Sequence, residues 1–154
     1  MPNTYTQLYV HAVIVISHRN NIISPEWEID LYKYMSGIIT NKRNKSILVN
    51  GYKNHVHLLY GQNPGVCISD TLRDVKNNST NFLNKNFFIG KGFSWQEGFG
   101  AFSCSRRDLE RVYAYIERQR EHHEKKTFRE EYLELLKEYH IAYNERYVFK
   151  DIEG

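Results

Sequence analysis

Two histidines separated by one apolar residue, His55-Val56-His57, stand in the stretch Asn54-His55-Val56-His57-Leu58-Leu59-Tyr60. In a strand, residues two apart point to the same face. The spacing therefore predicts two imidazoles side by side, with Val56 and Leu58 turned to the core. Neutral imidazole is a common ligand for divalent metals. Alone, however, a His-x-His reads more simply as a strand with two histidines on its outer face. A metal site would need a further ligand, and a reaction would need a nucleophile.

Both kinds of group occur in Tyr115-Ile116-Glu117-Arg118-Gln119. Residues four apart share a helix face, so Tyr115 and Gln119 project together while Val112 and Ile116 mark the packed side. A phenol can attack phosphorus and form a covalent ester. Its unperturbed pKa is about 10, so it needs a metal or a basic neighbour, and a metal would also orient the phosphate. Gln119 offers a carbonyl oxygen as a neutral ligand. Without the histidines, Tyr113 and Tyr115 would read as packing aromatics and Gln119 as surface. His122 and His123 follow on the Gln119 face, either as accessory ligands or proton-transfer groups, or as partly exposed helix residues. Arg118, Arg120, Lys125 and Lys126 alternate with Glu117, Glu121 and Glu124, the pattern of surface ion pairs.

These groups must be held by a frame. Tyr5 to Ser17 reads as a long strand. Ser24-Pro25 opens a helix carrying Trp27, Leu31, Tyr34 or Met35 and Ile38 to about Asn41. Ser46 to Val49 is a short strand closed by an Asn50-Gly51 turn, and Lys53 to Tyr60 returns as its hairpin partner. Ser69 caps a helix through Leu72, Val75, Ser79, Phe82 and Leu83. A Gly- and aromatic-rich connection leads to a strand over Phe99 to Cys104, with Trp95 and the Phe99 to Phe102 segment assigned to the core. One long helix follows from Ser105 to about Lys125. Thr127 and Glu130 form a capping box that opens a last helix to about Tyr139, and Tyr147-Val148-Phe149 is placed to dock back. The order β-α-β-β-α-β-α-α predicts an α+β fold. Its antiparallel sheet is ferredoxin-like or RRM-like, with helices packed on one face and C-terminal helices added.

The chain has 154 residues, 41% apolar and 25% charged, which fits one folded domain over residues 1–154. The longest apolar run, Ala12 to Ile16, is far short of the ~20 residues a bilayer span needs, so no membrane is expected. Met1 to Leu8 lacks the layout of a signal peptide. Cys67 and Cys104 stand far apart with no Cys-x-x-Cys, which argues against a zinc ribbon and a disulfide framework. A cytoplasmic protein with free thiols is the expectation. Residues 1–107 hold 12 Lys/Arg against 6 Asp/Glu, a net +6. Residues 108–154 hold 9 against 12, a net −3. A basic body suits a polyanionic partner.

Taken together, these residues resemble the HUH-type single-tyrosine transposases, those of small insertion sequences related to the 200/605 group and their REP-associated relatives. The resemblance is carried by His55-Val56-His57, by Tyr115 with Gln119, and by three framework stretches: Tyr5 to His11, Ser69 to Lys76, and Phe93 to Ser103. They run in family order over about Tyr5 to Tyr139. The resemblance implies that His55, His57 and Gln119 hold Mg²⁺ or Mn²⁺ against the scissile phosphate of hairpin-bearing single-stranded DNA. Tyr115 would displace a 3′-hydroxyl and become linked to the 5′-phosphate. A second 3′-hydroxyl would then rejoin the strands, without ATP or water. It further implies a homodimer, often with the tyrosine helix of one chain against the histidine pair of the other. Asn54 departs from the pattern, since an acidic residue often precedes the first histidine in relatives.

Candidates for phosphate contact are Arg19, Lys53, Lys76, Arg106 and Arg107, with His18, Lys42, Arg43, Lys45, Lys85 and Lys91 in reserve. Tyr52 or Phe93 could stack on bases. Two other function classes are weighed against strand transfer. Histidine-triad nucleotide hydrolysis needs a third histidine where this chain has Leu59. A domesticated relative would hold hairpin DNA without cutting it, but the nucleophile and ligands are all present.

Overall fold

Four antiparallel strands form the sheet: β1 (Tyr9–Val15), β2 (Lys45–Tyr52), β3 (His55–Gly61) and β4 (Gly100–Cys104), in the order β2-β3-β1-β4. The computed structural model describes residues 3–88 and 92–150. Two helices, α1 (Glu28–Asn41) and α2 (Ile68–Asn86), cross between strands in the split βαβ pattern of ferredoxin-like folds. Three more follow β4: α3 (Leu109–Glu117), α4 (Gln119–His122) and α5 (Phe128–Glu138). Among the described residues no helix is long and apolar enough to cross a membrane.

The strand alternation divides the core. Val10, Ala12 and Ile14 of β1 and Val56, Leu58 and Tyr60 of β3 face α1 and α2. There they meet Leu31, Met35, Ile39, Leu72, Val75 and Leu83. Trp95 closes this layer and donates its indole N–H to Ser79 Oγ at 3.0 Å. The opposite phase of the same strands, Val13, Val15 and Leu59, is covered by the C-terminal helices through Ile116, Phe128, Tyr132, Leu135 and Leu136. The sheet is therefore sandwiched. The face that carries the histidines, expected to be outward, is interior. Burying each of these aliphatic side chains is worth about 1.5–3 kcal/mol, so the second layer adds substantially to stability.

Several elements differ from the sequence-based expectation. The hairpin turn lies at Lys53-Asn54, not at Asn50-Gly51, and Tyr52 pairs with His55. Lys53 takes the left-handed conformation (φ 50°) that the turn needs. Gly51 instead permits close approach of two strands, because a Cβ there would collide with the His55 carbonyl oxygen. The long helix after β4 is broken at Arg118 (φ −97°, ψ 28°), where α3 ends and α4 begins. The first strand is shorter than Tyr5 to Ser17, and α2 begins at Ile68, ahead of Ser69. Phe99 is exposed rather than core, lying just before β4, whereas Phe102 within the strand is buried. The capping box at Thr127 and Glu130 is present. Val148 and Phe149 pack back against α5 while Tyr147 stays exposed. Both cysteines are free thiols.

Candidate metal and nucleophile site

β3 brings His55 and His57 onto the face covered by α3 to α5, and both are fully buried. His55 Nδ1 lies 2.7 Å from Asn54 Oδ1. An N–H at Nδ1 donating to that oxygen fixes the tautomer whose Nε2 carries the lone pair. Nε2 then faces Gln119 Oε1 at 2.8 Å, acceptor against acceptor. A cation shared between them satisfies such a pair. His57 is held in the same way by β1, with His11 Nε2 2.7 Å from His57 Nδ1. Asn54 thus performs for His55 what an acidic residue could, as a neutral acceptor.

The break at Arg118 turns Gln119 inward from the end of α3, and Gln119 is fully buried. One turn earlier the Tyr115 ring stands 5.9 Å from the His57 ring and 6.4 Å from the His11 ring. The His122 ring lies 4.7 Å from Tyr115. His123 Nε2 is 3.2 Å from Gln119 Oε1, and its ring stacks on Tyr52 at 5.8 Å. A cleft of about 100 Å³ runs to Tyr115, bounded also by His11, Arg111 and Glu131. One chain therefore assembles His55, His57, Tyr115, Gln119, His122 and His123.

The basic candidates are distributed differently. Lys53 lies over the Tyr52 ring, 5.3 Å from its centroid, at the hairpin next to His55. Arg120 approaches the same ring at 5.9 Å and pairs with Glu28 at 3.8 Å. Arg106 and Arg107 are exposed in the turn before α3, and Arg19 is exposed in the short turn after β1. Lys76 directs its ammonium at the chain's own backbone, donating to the carbonyls of Gln96, at 2.8 Å, and Gly98. Lys42 is paired with Asp74 at 2.7 Å. Lys91 lies outside the described residues.

Two members of the cluster escape sequence reasoning. Glu131 of α5, 3% exposed, places Oε1 3.1 Å from His57 Nε2 and 3.6 Å from His55 Nε2. Its signal is a carboxylate within the apolar stripe Phe128, Tyr132 and Leu135. His11 is a histidine inside an otherwise apolar strand. The ligand atoms of His55, His57 and Glu131 lie within 4.8 Å of one another. Imidazole nitrogens with carboxylate and amide oxygens form a donor set that fits a divalent cation.

Electrostatics favour the neutral forms of His55 and His11. Burial, and then the neighbouring His57, push His55 down to about 3. His11 is lowered by the same two causes. Burial opposes ionisation of Glu131, but the surrounding histidines outweigh it and hold the carboxylate well below its usual range. Burial and the facing Glu131 carboxylate raise Tyr115 well above an ordinary phenol.

The four-stranded sheet with its helices is the fold of tyrosine transposases. Over residues 4–119 the chain matches the family described as "Transposase IS200 like", and it belongs to that family of DNA-processing enzymes. Two solved structures are similar in fold. One is a Deinococcus radiodurans R1 protein assigned as a transposase, 20% identical, with TM-score 0.60, over 76% of this chain and 94% of that one. The other is a REP-associated tyrosine transposase bound to a REP hairpin, 14% identical, with TM-score 0.60, over 79% of this chain and 72% of that one. No curated protein matches the chain.

Proposed function

We propose that this protein cleaves and rejoins single-stranded DNA at hairpin-bearing element ends, through a 5′-phosphotyrosine on Tyr115. The observation that carries this reading is the meeting of a helical phenol and amide with the His-x-His pair inside one chain, Tyr115 beside His57 and Gln119 against His55. His55, His57 and Gln119 would hold Mg²⁺ or Mn²⁺. When bound, such an ion polarises the scissile phosphate and offsets charge developing on its oxygens.

The chain's own residues do the rest. Tyr115 Oη attacks phosphorus in line; the Oη–P bond forms and the P–O3′ bond breaks. His122, whose ring lies 4.7 Å from Tyr115, accepts the phenol proton and returns it to the leaving 3′-oxygen. Attack by a second 3′-hydroxyl reverses these steps and joins strands. Asn54 and His11 orient the two imidazoles. Lys53, Arg106, Arg107 and Arg19 meet the DNA backbone, and Tyr52, flanked by Lys53 and Arg120, offers a stacking platform beside the site. The REP-associated relative supports a hairpin as the ligand. In this reading residues 1–154 work as one unit, as a homodimer in the bacterial cytoplasm.

The test uses single-stranded DNA from the flanks of the protein's own gene, with Mn²⁺ present. The parent protein should yield a covalent adduct, and Tyr115→Phe should bind DNA but yield none. An adduct that survives Tyr115→Phe moves the nucleophile elsewhere, with Tyr113 the first suspect. DNA binding by the parent with no adduct leaves a hairpin-holding module.

A further inference from the structure

The family match ends at Gln119, yet a carboxylate from beyond it reaches the histidine pair. Glu131 lies on α5 and is surrounded: Oε1 contacts His57 and His55, and Oε2 is 3.4 Å from both Gln119 Nε2 and His123 Nε2. The helix is seated by features that serve this placement. The Thr127 and Glu130 capping box fixes its start. Phe128 stacks on the His55 ring at 4.3 Å. Tyr132 occupies the space that Gly100 leaves open, where a Cβ would run into its ring. The tail returns over α5, with Arg129 donating to the Phe149 carbonyl at 3.1 Å and the Phe149 ring 5.0 Å from Tyr132.

A buried carboxylate is costly unless it is paired or holds a metal. Hard divalent cations such as Mn²⁺ and Mg²⁺ favour an anionic carboxylate over a neutral amide as an oxygen ligand. Resting on the reading of His55 and His57 as metal ligands, we infer that Glu131 is a further protein ligand of that cation, and that the ion fastens α5 over the site as a cap. A DNA phosphate oxygen is the same kind of ligand, hard and anionic. It would enter by replacing Glu131, which frees α5 and uncovers the histidines.

The experiment titrates the full chain with Mn²⁺, reading free ion by electron paramagnetic resonance and amide exchange over residues 128–138 by mass spectrometry. The parent, Glu131→Gln and His57→Ala are compared after circular dichroism confirms folding. Glu131→Gln should weaken Mn²⁺ binding roughly tenfold or more, and in the parent Mn²⁺ should slow exchange across α5. Loss of binding in His57→Ala with Glu131→Gln within twofold of the parent overturns the inference and leaves the histidine site standing. Exchange in α5 that Mn²⁺ does not alter in the parent, a result that needs no variant, also overturns it. A parent protein that takes up no Mn²⁺ sinks both this inference and the metal reading beneath it.

Discussion

Asn50 of β2 donates its side-chain amide to the Ile116 carbonyl at 2.9 Å and reaches the Glu117 carbonyl at 3.3 Å. These carbonyls stand at the end of α3, where the break at Arg118 removes helical partners. The strand beside β3 is thereby tied to the helix one residue past Tyr115. Asn50→Ala leaves the carbonyls without this donor and should cost about 1–3 kcal/mol, read as a lower urea midpoint. Adduct formation should fall further than DNA binding does, because the phenol loses its anchor. Unchanged stability and adduct yield would remove Asn50 from any positioning role.

Tyr115 and the histidine pair meet within one chain, so the proposed reaction needs no second copy to bring the phenol to the imidazoles. Tyr115→Phe mixed in equal amounts with His57→Ala should therefore give no adduct. Recovery of adduct to about a quarter of the parent level or more would mean that the tyrosine helix is exchanged between subunits during reaction.

His55, held at about 3, and His11, also lowered, are neutral in the fold at pH 7. In the unfolded chain each titrates near 6.5. Below that value the unfolded state binds the proton and the folded state does not, so stability falls with pH from about 6.5 towards 3. For one such histidine the loss at pH 5 is about 2 kcal/mol. Metal-free protein should unfold at clearly lower urea concentration at pH 5 than at pH 7.5. Equal midpoints, or a higher one at pH 5, would contradict neutral, buried His55 and His11.

Excess chelator should abolish adduct formation while leaving hairpin DNA binding nearly intact, since the basic candidates do not belong to the donor set. This is checked by gel shift and denaturing electrophoresis on the same samples. Cutting that persists after exhaustive chelation would take His55, His57 and Gln119 out of metal binding.

The fold was legible where local chemistry and global packing agree. The period-two pattern of β3 sets His55 and His57 against Val56 and Leu58, and the capping box places α5 within a residue. Asn50-Gly51 carries the residue types of a turn without being one. Gly51 serves strand approach, and Asn50 serves a helix end 66 residues away. No local pattern reports so distant a partner. The break of the long helix at Arg118 carries neither Gly nor Pro and is matched by that same contact, so the local sequence does not mark it. Glu131 and His11 give little local signal, because a charge beside a charged run and a histidine in a strand are ordinary unless the second face of the sheet is covered.

That coverage leaves β1 without a solvent side: Val10 through Val15 are all interior, one set against α1 and α2 and the other against the C-terminal helices. Most strands can drift in sequence on their wet positions while keeping their dry ones. Here neither phase is free to drift, and His11 sits where an apolar substitute would pack well but would strip His57 of its partner. Saturation mutagenesis across the chain should therefore find its longest uninterrupted block of intolerance in this strand, with selection for function, more than for folding, fixing the residue at position 11.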